Sequence, residues 1–278
     1  MPFKTVLSII DVTQSDRDLD AAIELCAEIN AHLSVLVVAL VPPVPIGGYA
    51  AVLSAPWLQE RQHDIAALKA RVKTVNVRTS GASLSSDVDS EYSEMAWVDE
   101  VIGERARYAD LTIIGPALLN DGELKKRAID GALFESGKPL LLLPAKAKPT
   151  LRPKTILLAW DSSFEAMRAA REALELMVAA NSVHITLIDP EATLGRNGPE
   201  PGTDVATYLV RHGIKVTVDR LPSAGAQVAD VLRQHANDIS ADMIVMGAYG
   251  HSRMRERIFG GVTRSLLDEP SLPVLLAH

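Results

Sequence analysis

Three segments of this chain return in the same order, and that repetition constrains the fold more than any other feature. KTVLSIID at Lys4 is echoed by KTILLAWD at Lys154, ADLTIIGP at Ala109 by ADMIVMGA at Ala241, and KPLLLLP at Lys138 by LPVLLAH at Leu272. One architecture is therefore used twice within 278 residues, a length that accommodates two domains of ordinary size. The offset shrinks from 150 residues at the first pair to 132 at the second, so the second copy is shorter in its middle. Glu191 to Gly213 there replaces the Pro42 to Val75 loop and helix of the first copy.

Each copy alternates aliphatic runs with amphipathic ones. Lys4 to Asp11 reads as a strand buried on both faces. Asp16 to Asn30 has helical period, with Leu19, Ala22, Ile23, Cys26 and Ile29 on one stripe and Ser15 or Asp16 as the cap. Leu33 to Val41 is a second strand, stopped by Pro42 and Pro43. A Gly- and Pro-rich loop from Val44 to Pro56 precedes a helix over Trp57 to Val75. Ser86 to Tyr92 fits a polar edge strand or a solvated loop, and Asp87, Asp89 and Glu91 lack the glycine of an oxygen-ligand cation loop. Helices follow over Met95 to Ala109 and Gly122 to Glu135, with strands at Leu111 to Gly115 and Pro139 to Leu143. Lys146 to Pro153 is a linker by composition, giving domains 1–148 and 149–278.

Strands that are aliphatic throughout, alternating with helices, call for an α/β fold: two tandem five-stranded parallel-sheet domains covered on both faces. The last strand of each copy, Pro139 to Leu143 and Leu272 to His278, is a short apolar edge, and open edges pair. The expectation is an intrachain pseudo-dimer joined through those strands, with homodimerisation of whole chains left open.

Aromatic residues are only 4% of the chain, so the cores must be aliphatic. A net charge of −7 argues against a general nucleic-acid or anionic-membrane binder, and any anion site has to be local. No apolar run approaches the ~20 residues of a membrane span, and the start MPFKTVLSIID has no signal-peptide pattern, so a cytoplasmic protein is expected. Cys26 is the one cysteine, which excludes an internal disulfide and a cysteine-built zinc site; its place on the helical stripe makes it a core residue.

Ligands of parallel α/β sheets bind beyond the carboxyl ends of the strands. In the second copy those ends carry Asp161, Asp189 and Gly247. MIVMGAYGHSRMRERIFGGVTRS, from Met243, combines a strand ending in Met246 and Gly247, a loop with Gly250, His251, Arg253, Arg255 and Arg257, and a helix start at Gly260, Gly261, Val262 and Thr263. Unpaired amides at a helix start and a cationic loop both favour an anion. Each residue also has a plainer reading: turn glycines, solvated arginines, a loop-packing His251, and Asp161 as a helix cap. No P-loop and no dinucleotide-binding glycine fingerprint is present, and Ser162 and Ser163 lack a nucleophile-elbow context. No hydrolase constellation is readable, so slow nucleotide hydrolysis at most is expected.

The spacing G-x-x-G, nine residues, then G-G-V-T, together with AWDSS after a first strand, resembles the universal stress protein family, in its tandem two-domain form. The resemblance implies a Rossmann-like domain of the adenine nucleotide alpha hydrolase type, and ATP, with or without Mg²⁺, as the ligand of one branch. Carried over by position, Gly247 and Gly250 line the phosphates and Gly260 to Val262 turn amides onto them. Ala159 to Asp161 faces the adenosine, and Leu187 contacts the adenine edge. Met246, His251, Arg253 and Thr263 complete the implied site. Two departures stand out: Gly261 where ATP binders carry Ser or Thr, and Leu118 where the first copy needs its second glycine. The resemblance therefore implies a stress-response or regulatory protein binding ATP in its second domain, its first being a degenerate copy. The alternatives are a ligand-free member acting through unknown protein partners, and a phosphoacceptor domain using Asp11 or Asp161, for which the companion Asp and Lys are not evident.

Overall fold

A computed structural model describes residues 3–41, 55–191, 199–248, 261–268 and 270–278. They divide into two compact units, Phe3–Lys138 and Pro139–His278. That division falls ten residues before the expected boundary between 148 and 149, so the last strand of the first copy groups with the second unit.

The first unit runs β1 (Thr5–Asp11), α1 (Arg17–Ile29), β2 (His32–Leu40), α2 (Ala55–Gly81), β3 (Ser86–Ser93), α3 (Val98–Ala106), β4 (Leu111–Ile114) and α4 (Gly122–Asp130). Its strand order is β3-β2-β1-β4, with every described pairing parallel. The aliphatic residues of β1, β2 and β4 are almost wholly buried, as continuous apolar runs require. The stripe read on α1 is the buried one, and Cys26 lies in it. Burial pushes that thiol up to about 12, which makes it an inert core group.

Several boundaries differ from the sequence expectation. Ser86–Ser93 is a strand, and two of its acids are partnered: Asp87 with His32 and Ser34, Asp89 with Arg105. Asp16 stands at the start of α1 without a capping bond, because its carboxylate is drawn to Arg71 on α2 at 2.5 Å. The helix expected to Glu135 changes at Gly131 into a π-helical turn, Gly131–Glu135. A Cβ on Gly131 would meet the Asp99 carbonyl oxygen at 2.4 Å, and one on Gly103 would meet Glu135 Cβ at 2.2 Å, so these two glycines let α3 and that turn pack in contact. The loop read at Val44 to Pro56 lies largely outside the described residues.

The second unit contains β5 (Leu140–Leu142), β6 (Thr155–Ala159), α5 (Phe164–Glu172), α6 (Leu174–Ala179), β7 (Ser182–Ile188), α7 (Thr203–Arg211), β8 (Val216–Leu221), α8 (Val228–Asp238), β9 (Met243–Gly247), α9 (Gly261–Asp268) and β10 (Val274–Ala277). Its order is β5-β10-β9-β6-β7-β8, parallel except that β5 runs antiparallel to β10, with Leu141 opposite Leu275. The two terminal strands do pair, and they do so inside this unit. α5 packs on β9 and β10, α7 on β8 and α8 on β7.

The echoed ADLT and ADMI segments now have a physical reason. Asp110 accepts from the amides of Lys4 and Thr5 at 2.7 and 3.0 Å. Asp242 accepts from those of Lys154 and Thr155 at the same two distances. In each copy one carboxylate holds the amide start of a strand and sits just before that strand's neighbour, Asp110 before β4 holding β1 and Asp242 before β9 holding β6, which sets each pair in register.

A different carboxylate closes the other end of the first unit. Asp18, the second residue of α1, is 1% exposed, and it accepts from the amides of Ala117 and Leu118 at 2.7 and 2.9 Å. A Cβ on Gly115 would stand 2.3 Å from Asp18 Cγ, so the strand must end in glycine for the carboxylate to reach the turn. Desolvation raises the Asp18 pKa, against the lowering effect of those two amides and of Arg17. Asp18→Ala leaves two buried amides without an acceptor and is expected to cost about 1–3 kcal/mol by urea unfolding. Because the folded pKa lies above the ordinary 3.8, the folded state holds the proton longer than the unfolded chain does. The stability of the native protein relative to Asp18→Asn should therefore fall as pH rises above 3.8 and level off beyond the folded pKa.

Candidate functional site at the carboxyl ends of β6, β7 and β9

β6 lies between β7 and β9, and register sets Ala159 opposite Thr186 on one side and Met246 on the other. Ala159, Leu187, Met246 and Gly247 consequently meet at one edge. Beyond it the Trp160 amide donates to the Thr186 carbonyl at 2.9 Å, which extends the pairing by one residue. The chain then reverses through Ser162, a left-handed residue at φ 61°. Asp161 is exposed at this corner, and its Oδ1 accepts from the Ser163 amide at 3.0 Å. Ser163 caps α5, its hydroxyl accepting from the Ala166 amide at 3.1 Å. The serine pair that lacks a nucleophile's context thus turns the chain and starts a helix.

Gly247 is required here for packing. A Cβ at that position would meet the Ala166 amide nitrogen at 2.4 Å and the Glu165 carbonyl carbon at 2.5 Å. Both are backbone atoms at the start of α5, so they cannot move aside as a side-chain tip can. The phosphate role implied for this glycine is therefore not needed to account for it. Leu187 is likewise a core side chain at 2% exposure, with Cδ1 3.0 Å from where a Cβ on Gly202 would stand. The adenine contact implied for Leu187 is therefore not offered by its side chain. Asp189 follows β7 in a left-handed conformation at φ 46° and accepts from the Ser223 amide at 2.9 Å. Hydrogen bonds from the Ser223 side chain and backbone hold its pKa below the ordinary carboxylate value.

Gly250, His251, Arg253, Arg255, Arg257 and Gly260 lie outside the described residues. α9 opens at Gly261, with Val262 and the backbone of Thr263 in its first turn, where helical amides have no partner within the helix itself. Gly261 is exposed, and a Cβ there meets no described atom within 4 Å. Its lack of a side chain is not imposed by packing among the described residues, in contrast to Gly247. The sequence missed Ser163 as a cap and the abutment of Gly247 on Ala166. The Asp-Ser-Ser run before a helical pattern was the available signal for the first; only topology reveals the second.

Comparison with known proteins places the residues that build this edge. Residues 153–278 match the model of the universal stress protein family. They belong to that family. The universal stress protein Slr1230 of Synechocystis is 27% identical over 144 residues, covering 50% of this chain and 46% of that protein. The stress response protein NhaX of Bacillus subtilis is 44% identical over 48 residues, or 17% of this chain and 29% of that one. The matched stretches thus span less than half of either relative. A universal stress protein from Archaeoglobus fulgidus superposes with a TM-score of 0.67 at 16% identity, covering 98% of this chain and 95% of its own. That likeness extends the fold to the N-terminal half. No helix among the described residues is long and apolar enough to cross a membrane.

The two glycines of the universal stress protein domain should separate cleanly. Gly247→Ala is expected to cost about 1–3 kcal/mol through overpacking. Gly261→Ala, at an open helix start, should leave the urea midpoint nearly unchanged.

Proposed function

We propose that the C-terminal universal stress protein domain binds an adenine nucleotide, ATP, at the carboxyl edge of β6, β7 and β9, and that the protein is a stress-response regulator. The observation that carries this reading is the meeting of Ala159, Leu187, Met246 and Gly247 at one strand edge, with the exposed Asp161 at its corner. The Ala159 to Asp161 segment and the Leu187 backbone offer polar groups to the nucleoside. The amides at the start of α9, with Gly250, His251, Arg253 and Gly260 in the preceding segment, take the phosphates.

The first unit supports one site per chain. Its turn after β4 directs the amides of Ala117 and Leu118 onto the Asp18 carboxylate, an anion supplied by the chain itself. Asp11, the counterpart of Asp161, is 8% exposed and satisfied locally by Thr13.

A specific observation favours a second reading, a ligand-free protein acting on protein partners: Gly261 offers no hydroxyl to a phosphate. A hydrogen bond to a charged group contributes about 1.5–3 kcal/mol, so its absence weakens binding about tenfold or more. Calorimetry of the full chain with ATP, with and without Mg²⁺, decides between the two. Heat with a stoichiometry of one per chain, and an affinity raised about tenfold by Gly261→Ser, is the expected result; no heat and no thermal shift at millimolar ATP in either protein removes the nucleotide reading.

A further inference from the structure

Outside the strand edge, a cluster of ligating groups among the described residues sits on the face of the C-terminal sheet. His184 on β7, Asp219 on β8 and His235 on α8 converge there. His184 Nδ1 lies 2.8 Å and His235 Nε2 2.9 Å from the same carboxylate oxygen, Asp219 Oδ2. All three ligating atoms fall within 4.8 Å of one another. The two rings meet edge to face, their centroids 6.3 Å apart.

Register explains the convergence. β7 and β8 are parallel with His184 opposite Thr217 and Thr186 opposite Asp219, so alternate residues bring His184, Thr186 and Asp219 to one face. α8 packs on β7 and lays His235 over them. The three side chains are between 15% and 20% exposed, close enough to solvent for an ion to enter. Thr186 supplies a second observation. Its residue is 1% exposed and its hydroxyl has no hydrogen-bond partner among the described residues, a buried polar group on the same face as the cluster.

We propose that His184, Asp219 and His235 form a binding site for a first-row divalent cation, with zinc the natural probe. Two imidazoles and one carboxylate are a donor set for zinc, cobalt or ferrous iron rather than for calcium or magnesium, which require oxygen. Metal–ligand bonds near 2.0–2.1 Å in a tetrahedral centre put ligand atoms roughly 3.3 Å apart. The two N···O separations are slightly shorter than that, as expected where protons stand in for the ion, and ring rotation opens them.

An ionised carboxylate only accepts hydrogen bonds, so both facing ring nitrogens carry hydrogen in the metal-free form. On binding, the ion takes the place of those two protons. A neutral ring gives up the hydrogen on its facing nitrogen and takes one from solvent on the far nitrogen, Nε2 of His184 or Nδ1 of His235, with no net release; a doubly protonated ring releases one proton to solvent. Three protein ligands leave a fourth position for water, with the Thr186 hydroxyl on the same face to hold it.

The site is separate from the nucleotide edge. None of His184, Asp219 and His235 belongs to that edge, and the cluster lies on the face of the sheet, whereas the edge lies beyond the strand ends; Thr186, opposite both Asp219 and Ala159, is where the two come nearest. Failure of one reading therefore leaves the other standing. A bound ion would fasten the edge strand β8 to β7 and α8.

Full-length protein stripped with chelator and titrated with Co²⁺ tests the proposal. The expected result is one ion per chain with the intense visible bands of a four- or five-coordinate site, displaced by Zn²⁺. His184→Ala and His235→Gln should each weaken binding at least tenfold, while His212→Ala should not. Bands that survive both site variants, or no binding above that of the double variant, would overturn it. Should a variant fail to fold, the imidazole resonances of the unaltered protein decide the matter. Zn²⁺ must shift those of His184 and His235 and raise the melting temperature; shifts confined to the other histidines refute the site.

Discussion

Backbone amides at the ends of parallel strands need acceptors, and supplying them with carboxylates is the constraint on which both halves depend. A parallel ladder leaves the first amides of a strand unpaired, and a buried amide without a partner costs about as much as a lost hydrogen bond. Asp110 and Asp242 meet that need at the amino edge, each serving two amides of the neighbouring strand. At the carboxyl edge the halves part. The first uses Asp18 to satisfy Ala117 and Leu118, while the second presents the start of α9 instead.

What was legible followed from periodicity. The aliphatic strands, the stripe on α1 and the short apolar β5 and β10 are all positions where burial selects one kind of side chain, and the structure keeps each of them. The echoed Asp110 and Asp242 were visible as a match before their role was. Polar segments were harder, because their partners are distant. β3 pairs with β2 while two of its acids bind His32, Ser34 and Arg105, up to 55 residues away in sequence. The loss of a side-chain cap at Asp16 has the same origin, since Arg71 competes for the carboxylate.

The glycines show where motif reading and packing diverge. Gly247 belongs to the spaced pattern, yet backbone atoms of α5 forbid any other residue there. Gly115 is its counterpart, facing Asp18 at the same second position of the first helix that Glu165 holds in the other half. A glycine in this place follows from the helix abutting the strand end, whether or not a phosphate is ever bound. Gly261 is the opposite case, a glycine that no described neighbour requires. A motif position free of packing demands is where a ligand's preference, or its absence, is most directly written.

Distance in sequence also hides His184, Asp219 and His235. They are separated by 35 and 16 residues and lie on three elements, so no local spacing marks them. Only the parallel register of β7 with β8 and the seating of α8 on β7 bring them together. A sheet face is a costly place for such groups: burial alone raises the Asp219 pKa, and the hydrogen bonds from His184 and His235 reverse that and leave it lowered. An apolar triplet would fill the same space without the desolvation cost. Two imidazoles around one carboxylate, on the same face as a Thr186 hydroxyl without a partner among the described residues, are the arrangement that the proposed cation would account for and packing alone does not require.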